Sequence, residues 1–196
     1  MEPLILLAED DPRTRESLGR AVTQAGYRTL TAANGAEALA ILQKEAVDVV
    51  LTDLKMPGMD GMTLLEQVRA DFPEAIVIIL TAFATVDLAV EAMKKGAYDF
   101  LTKPINLDKL EFLLRHALEA RRLARENREL RLRLRETTGV KHLLGDSPAM
   151  QRLTEAIQQV AATDAAVLIL GESGTGKELV AHATHYGGAR ADRPMV

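Results

Sequence analysis

In VDVVLTDLKMPGMDG, residues 47–61, an apolar run ends in a carboxylate and a turn. Val47, Val49, Val50 and Leu51 are bounded by turn residues, the pattern of a strand buried on both faces, as in a parallel sheet. The run stops at Thr52 and Asp53. Lys55, Met56, Pro57 and Gly58 then turn the chain, and Asp60 caps a helix that begins near Gly61. Asp53 is thereby placed at the carboxyl end of a central strand, the edge where open α/β sheets hold their ligands. By itself the run leaves open whether Asp53 is a turn residue or a reactive carboxylate.

The segments on either side alternate strand and helix. LILLA (4–8) is an apolar strand, and a helix through Leu18, Ala21 and Val22 stops at Gly26. Residues 28–32 form a weaker strand, nearer an edge. A helix opens at Asn34-Gly35, the Asp53 strand follows, and residues 62–70 are helical. IVIIL (76–80) is another buried strand, Val86 to Lys95 a helix ended by Gly96, and YDFL (98–101) a fifth strand. A further helix starts near Asn106 or Asp108. Five such units with short loops predict a doubly wound five-stranded parallel sheet with right-handed crossovers.

A parallel sheet brings its carboxyl ends to one edge. Strand one ends in Glu9-Asp10-Asp11, strand three in Asp53 and strand four in Thr81-Ala82, and Lys103-Pro104 follows strand five. Clustered carboxylates repel unless a positive charge sits among them. Oxygen ligands without nitrogen or sulfur suit a hard cation such as Mg²⁺. With a lysine and a threonine hydroxyl added, such a site can hold the spread charge of a phosphoryl group in transfer. Asp53 is the candidate nucleophile, forming an acyl phosphate.

At residues 1 to about 120 the chain resembles the receiver domains of two-component response regulators. The resemblance rests on ILLAEDDPRTR, LTDLKMPGMDG, ILTAFA and FLTKP, in order and at successive strand ends. It implies a flavodoxin-like (CheY-like) fold, with Asp53 as phosphoacceptor and Glu9 and Asp10 as the acidic pocket; Asp11 is flanking. It implies Mg²⁺ on Asp10, Asp53 and the backbone carbonyl of Lys55. Thr81 would bond a phosphoryl oxygen and Lys103 would be its ionic partner, with the Lys103–Pro104 bond cis. Phe100 falls at the family's switch aromatic, where many relatives carry tyrosine. The implied phosphodonor is a sensor histidine kinase.

Composition sets outer limits. The 196 residues carry a net charge of −4 and no cysteine, so neither disulfides nor thiolate metal sites enter. No apolar run reaches membrane-spanning length and no signal peptide opens the chain, so no membrane partner and a cytoplasmic location are expected. The modest charge argues against indiscriminate nucleic-acid binding.

The helix after strand five runs on to about Glu136 without glycine or proline, with Leu107, Leu110 and Leu114 available to pack on the sheet. A heptad passes through Leu113, His116, Ala120, Leu123, Asn127, Leu130 and Leu134, in the alternating three-and-four spacing of a coiled-coil seam. Asn127 at an a position favours two strands in register, and Glu126 reaches Arg131 of the partner. A parallel homodimer through a linker at residues 113–138 is predicted. Its seven arginines between 121 and 135 are read as a solvated face partly neutralised by glutamates, in preference to a DNA contact.

From GDSPAM a second body begins. Ser147 caps a helix with Pro148 at its first position, running through Met150, Leu153, Ile157 and Val160. AAVLIL (165–170) is read as a buried strand, and GESGTGKE follows. Gly171, Glu172, Ser173, Gly174, Thr175, Gly176, Lys177 and Glu178 between strand and helix form a phosphate-binding loop. Its N–H groups and the helix N-terminus face the phosphates and Lys177 adds a point charge. Glu178 stands where the general motif has a hydroxyl for Mg²⁺. His182 and His185 are read as surface histidines.

Receiver, linker and GDSPAM…GESGTGKE together resemble the NtrC-type activators of sigma-54 RNA polymerase, whose second domain is an AAA+ ATPase. That resemblance implies the truncated start of such a P-loop domain at residues 140–196, a partial ATP site without hydrolysis, and a fragment of a longer regulator. RNA polymerase and DNA would be partners only through the missing part. Residues 140–196 are expected to be loosely held. Two other classes compete. A flavodoxin would need a phosphate-cradling first loop, which Glu9-Asp10-Asp11 would repel. A self-sufficient P-loop enzyme, with the first domain as accessory, would turn over ATP.

Overall fold

Side chains along each central strand enter two apolar clusters in turn, one on each face of the sheet. In β1 (Leu4–Ala8), Leu4, Leu6 and Ala8 join one cluster, and Ile5 and Leu7 the other. β3 (Val49–Asp53) sends Val50 to the first and Val49 and Leu51 to the second. β4 (Ile76–Thr81) sends Val77 and Ile79 to the first and Ile78 and Leu80 to the second. Helices α2 (Gly35–Leu42), α3 (Gly61–Asp71) and α4 (Val86–Lys94) close the first face through Leu42, Leu64, Val68 and Ala92. Helices α1 (Pro12–Gln24) and α5 (Leu107–Thr138) close the second through Leu18, Val22, Leu114 and Ala117. The structure is a computed structural model that describes residues 2–82, 85–138, 147–188, 191, 193 and 195, with no side-chain description over 133–138.

With β2 (Arg28–Ala32) and β5 (Asp99–Thr102) the sheet is wholly parallel, in the order β2-β1-β3-β4-β5. This is the doubly wound sheet expected. β2 lies at an edge, in keeping with its weak apolar content. The chain leaves β1 toward β2 and then returns past it to β3. The strand order therefore reverses between β1 and β3, and a crevice opens at their carboxyl ends. Burial of each large core side chain contributes about 1.5–3 kcal/mol, and that holds this polar edge on a rigid base.

Caps fix where the helices next to the crevice begin. Asp11 accepts from the Thr14 N–H at 2.8 Å and its hydroxyl at 2.7 Å; Asp60 accepts from the Thr63 N–H at 2.8 Å. Asn34 does the same for α2 through the Glu37 N–H, and Asn106 for α5 through the Lys109 N–H. Gly61 has a separate reason to be glycine: a Cβ there would drive into the carbonyl oxygen of Asp53. The first turn of α3 can pass against the end of β3 only because that position has no side chain.

The chain divides into two units, Met1–Leu123 and Ala124–Val196. In the first, α5 differs from expectation at two leucines. Leu107 is exposed, whereas Leu113 is 8% exposed and packs in the core with Leu110 and Leu114. Leu113 therefore cannot open a dimer seam; the sheet claims it first. The exposed side chain beside it is Phe112, 51% exposed, with its ring 4.2 Å from that of His116. Ala120, Leu123, Asn127 and Leu130 are exposed on the same helix, and the side chain of Leu134 lies outside the described residues.

In the second unit, α6 (Pro148–Ala161) starts as expected, with Ser147 accepting from the Met150 N–H at 3.3 Å. α7 (Lys177–Tyr186) follows the glycine loop. Ile157, Ala161, Ala183 and Ala191 are its buried apolar side chains among the described residues. The strand expected over 165–170 does not form: Leu168 and Leu170 are 81% and 82% exposed and the segment has no regular structure. A strand is completed by a neighbour's hydrogen bonds, and none of the described strands pairs with this one. His182 and His185 are half-buried about Tyr186, not on the open surface. Residues 140–146 lie outside the described part. No helix among the described residues is long and apolar enough to cross a membrane.

Candidate functional site

Strand parity brings three charged side chains to one side of the sheet edge. Glu9 continues the series Ile5, Leu7; Asp53 continues Val49, Leu51; Lys103 follows Leu101 by two. The register sets Ala8 beside Thr52, Asp53 beside Leu80 and Leu80 beside Leu101. The Lys103 ammonium then bridges the two acids, donating to Glu9 Oε2 at 2.7 Å and to Asp53 Oδ2 at 2.6 Å. Glu9 is only 1% exposed, and Asp53 is nearly as enclosed. Ligand oxygens of Glu9, Asp10 and Asp53 all lie within 4.8 Å of one another.

Of the remaining predicted residues, the backbones of Lys55 and Thr81 touch this cluster, and Phe100 packs on the other face of the sheet. The Lys55 N–H donates to Asp53 Oδ1 at 3.4 Å, which places the Lys55 backbone beside the same carboxylate. Thr81 is buried at the end of β4, and its carbonyl accepts the Lys103 N–H at 2.7 Å. The Lys103–Pro104 bond is cis. Phe100 is half-buried against the first apolar cluster, paired in register with Ile79. A groove of about 740 Å³, lined among others by Asp10, Lys55, Pro57, Asp60 and Leu88, reaches the cluster at Asp10.

The charges do not balance: three carboxylates meet one ammonium. All their donors are oxygen, and an octahedral divalent cation suits such a set. The donor chemistry of the residues present therefore fits Mg²⁺. Burial raises the Glu9 pKa, against the pull of the Lys103 hydrogen bond and charge. For Lys103, burial lowers the pKa, but the hydrogen bonds it donates to Asp53 and Glu9, with the charges of both acids, outweigh it and the net shift is upward. Asp11 is held below its usual range by its Thr14 bonds, as a helix cap and not as a pocket acid.

A raised pKa in the folded state means that Glu9 ionisation opposes folding. This group's contribution to stability is complete below its ordinary 4.5 and is lost as pH rises through the folded value. Without Mg²⁺, Glu9→Gln is therefore expected to melt above the parent at pH 7, with the gap closing below pH 4.5. Thermal denaturation across pH measures it. A variant that melts lower at pH 7 would mean that the Lys103 pair outweighs the burial.

Three contacts went unread in the sequence. Arg15 Nη1 donates to the carbonyl of Glu9 at 2.6 Å and that of Asp10 at 3.2 Å. Gly61 makes way for Asp53. At the opposite end of β3, Asp48 accepts from the Leu4 N–H at 2.7 Å and pairs with Arg121 of α5. A basic residue one turn into α1 was the only sign of the first. The third joins residues far apart in sequence and left no local sign.

In the second unit, Gly174 and Gly176 take φ of +81° and +84°, which their lack of a side chain permits. Gly176 begins α7 without a side-chain cap. Lys177 folds back over the loop and donates to the carbonyls of Gly171, at 2.9 Å, and Glu172. Thr175 Oγ1 donates to Glu172 at 2.8 Å; Ser173 and Glu178 complete the loop and the first turn of the helix.

Residues 5–115 match the response regulator receiver domain, and residues 143–196 match the sigma-54 interaction domain. The chain is 44% identical over 193 residues to the C4-dicarboxylate transport transcriptional regulatory protein DctD of Pseudomonas aeruginosa, covering 98% of this chain and 42% of that protein. It is 39% identical over 193 residues to the DNA-binding transcriptional regulator NtrC of Escherichia coli, covering 98% and 40%. The crystal structure of NtrX from Brucella abortus in complex with ATP superposes with a TM-score of 0.64 at 35% identity, over 100% of this chain and 43% of that one. A receiver domain protein from Clostridium thermocellum gives 0.60 at 32% identity, over 62% and 98%. The chain thus spans about 42% of the length of the curated relatives it matches.

Proposed function

Because this chain belongs to the response regulator receiver domain family, matched over residues 5–115, we propose that it is the phosphoacceptor portion of a two-component transcription regulator. Asp53 is the nucleophile. Its carboxylate oxygen attacks the phosphorus of a sensor kinase's phosphohistidine, the phosphorus–nitrogen bond breaks, and the imidazole nitrogen keeps the electron pair and takes a proton. The observation that carries this reading is Lys103 bound to both Glu9 and Asp53 inside a cluster of three carboxylates. Asp10, Asp53 and the Lys55 carbonyl would hold Mg²⁺, which offsets the charge of the incoming phosphoryl group. Thr81 and Lys103 bind the phosphoryl oxygens, and Phe100 reports the change to the β5 edge. Incubation with acetyl phosphate and Mg²⁺, followed by phosphate-tag electrophoresis, is expected to give a single retarded species. An unshifted band would count against the reading.

The receiver occupies residues 1–120, a helical linker 113–138 and the start of an AAA+ domain 140–196. The match of 143–196 to the sigma-54 interaction domain supports control of sigma-54-dependent transcription by the longer regulator. The uncapped N-terminus of α7 and the loop glycines support a partial site for ATP phosphates. With residues 165–170 unpaired and Lys177 bound within its own loop, ATP turnover by this chain is not expected. The regulator would act in the cytoplasm.

The exposed line of Ala120, Leu123, Asn127 and Leu130 supports a parallel homodimer through α5. Leu113, packed against the sheet, is not part of the proposed seam. In sedimentation equilibrium the parent should run as a dimer, and Leu123→Glu with Leu130→Glu as a monomer. A dimer unaffected by both substitutions would move the interface elsewhere.

A further inference from the structure

Beyond the ends of its ladder, β1 runs into a turn whose carbonyls no strand can satisfy. The Glu9 N–H is still paired, to the Ala32 carbonyl at 3.0 Å. Its own carbonyl and that of Asp10 lie past the last register pair of β1. Arg15 reaches back from the first turn of α1 and takes both, at 2.6 and 3.2 Å. On the far side of the turn, Asp11 is fixed by its two bonds from Thr14. The peptide units that carry the Glu9 and Asp10 side chains are thus held from both directions. The guanidinium bonds to their backbone carbonyls.

We propose that Arg15 is a positioning residue for the acidic pocket, fixing the β1–α1 turn so that the Asp10 and Glu9 carboxylates converge with Asp53. This rests on the reading of that pocket as a Mg²⁺-assisted phosphoacceptor site. Both bonds leave one nitrogen, Nη1, whose N–H groups are held in the rigid plane of the guanidinium; a lysine ammonium would bring its donors on a flexible four-carbon stem, with less of the turn's geometry fixed in advance. Loss of this support leaves all three carboxylates in the chain but lets the turn relax. Repulsion between the acids then favours their separation. Outer groups that orient metal ligands typically change metal affinity by about 10–100-fold when removed.

The test is Mg²⁺ titration of the full chain followed by amide NMR shifts, a readout independent of phosphorylation. Arg15→Ala is expected to weaken Mg²⁺ binding about tenfold or more. Arg15→Lys should fall between it and the parent. Phosphorylation by acetyl phosphate should be slow in Arg15→Ala at low Mg²⁺ and recover when Mg²⁺ is raised, which a general loss of fold would not do. If Arg15→Ala does not fold, Arg15→Lys alone carries the test, with a weaker Mg²⁺ constant expected. A Mg²⁺ constant within twofold of the parent in the folded variant overturns the positioning role and leaves the phosphoacceptor reading intact. A parent chain whose shifts ignore Mg²⁺, or respond equally after Asp10→Asn, overturns that reading and the positioning role with it.

Discussion

Asp53→Asn is expected to abolish phosphate uptake altogether: no retarded band after acetyl phosphate and Mg²⁺, at any incubation time that shifts the parent. The amide keeps the shape of the side chain but offers no anionic oxygen to attack phosphorus. It also removes one of three crowded carboxylates, so the fold should survive. Lys103 retains Glu9 as a partner at 2.7 Å. A melting curve close to the parent's, combined with a complete loss of the shift, separates loss of the nucleophile from loss of structure. A shift that persists in Asp53→Asn would mean that another side chain accepts the phosphoryl group.

Lys103→Met should have the largest effect on stability. It strands Glu9 and Asp53 in a nearly closed site with no cation between them. Removing one partner from a buried pair costs about 3–5 kcal/mol. Lys103 and Asp53 keep some solvent contact, with side chains 19% and 13% exposed, so the loss should fall toward the low end of that range. Urea denaturation without Mg²⁺ measures it. Added Mg²⁺ should restore part of the loss, because the ion supplies positive charge where the ammonium was. The pH dependence follows from the raised Lys103 pKa. The lysine's contribution is complete below its ordinary 10.5 and disappears as pH climbs through the higher folded value, and the variant should lack that alkaline loss. A variant as stable as the parent at pH 7 would show that the cluster does not depend on its lysine.

Much of this was legible in the residues because it is written locally. Apolar runs of strand length, Asp60 and Ser147 as caps, and the order of the four strand ends each need only a few neighbours. Register then set Glu9, Asp53, Thr81 and Lys103 at one edge of the sheet, with Asp10 in the turn after β1. What could not be read depends on competition for a surface. Leu113 fits a heptad and also fits the core, and burial against the sheet took it. The run at 165–170 has strand composition, but composition supplies no ladder partner. Arg15 resembles any exposed helical arginine until the turn before it is seen to present two carbonyls. Gly61 reveals its purpose only when the backbone of Asp53 is placed behind it.

The chemistry of the cluster comes down to where a phosphoryl group lands and what it needs to land there. The parent chain would be incubated with acetyl phosphate with and without Mg²⁺, trapped by borohydride reduction and mapped by peptide mass spectrometry. Conversion to homoserine at Asp53 alone, and only with Mg²⁺, is the predicted result. Equal labelling without the ion, or reduction at Asp10 or elsewhere in place of Asp53, would contradict it.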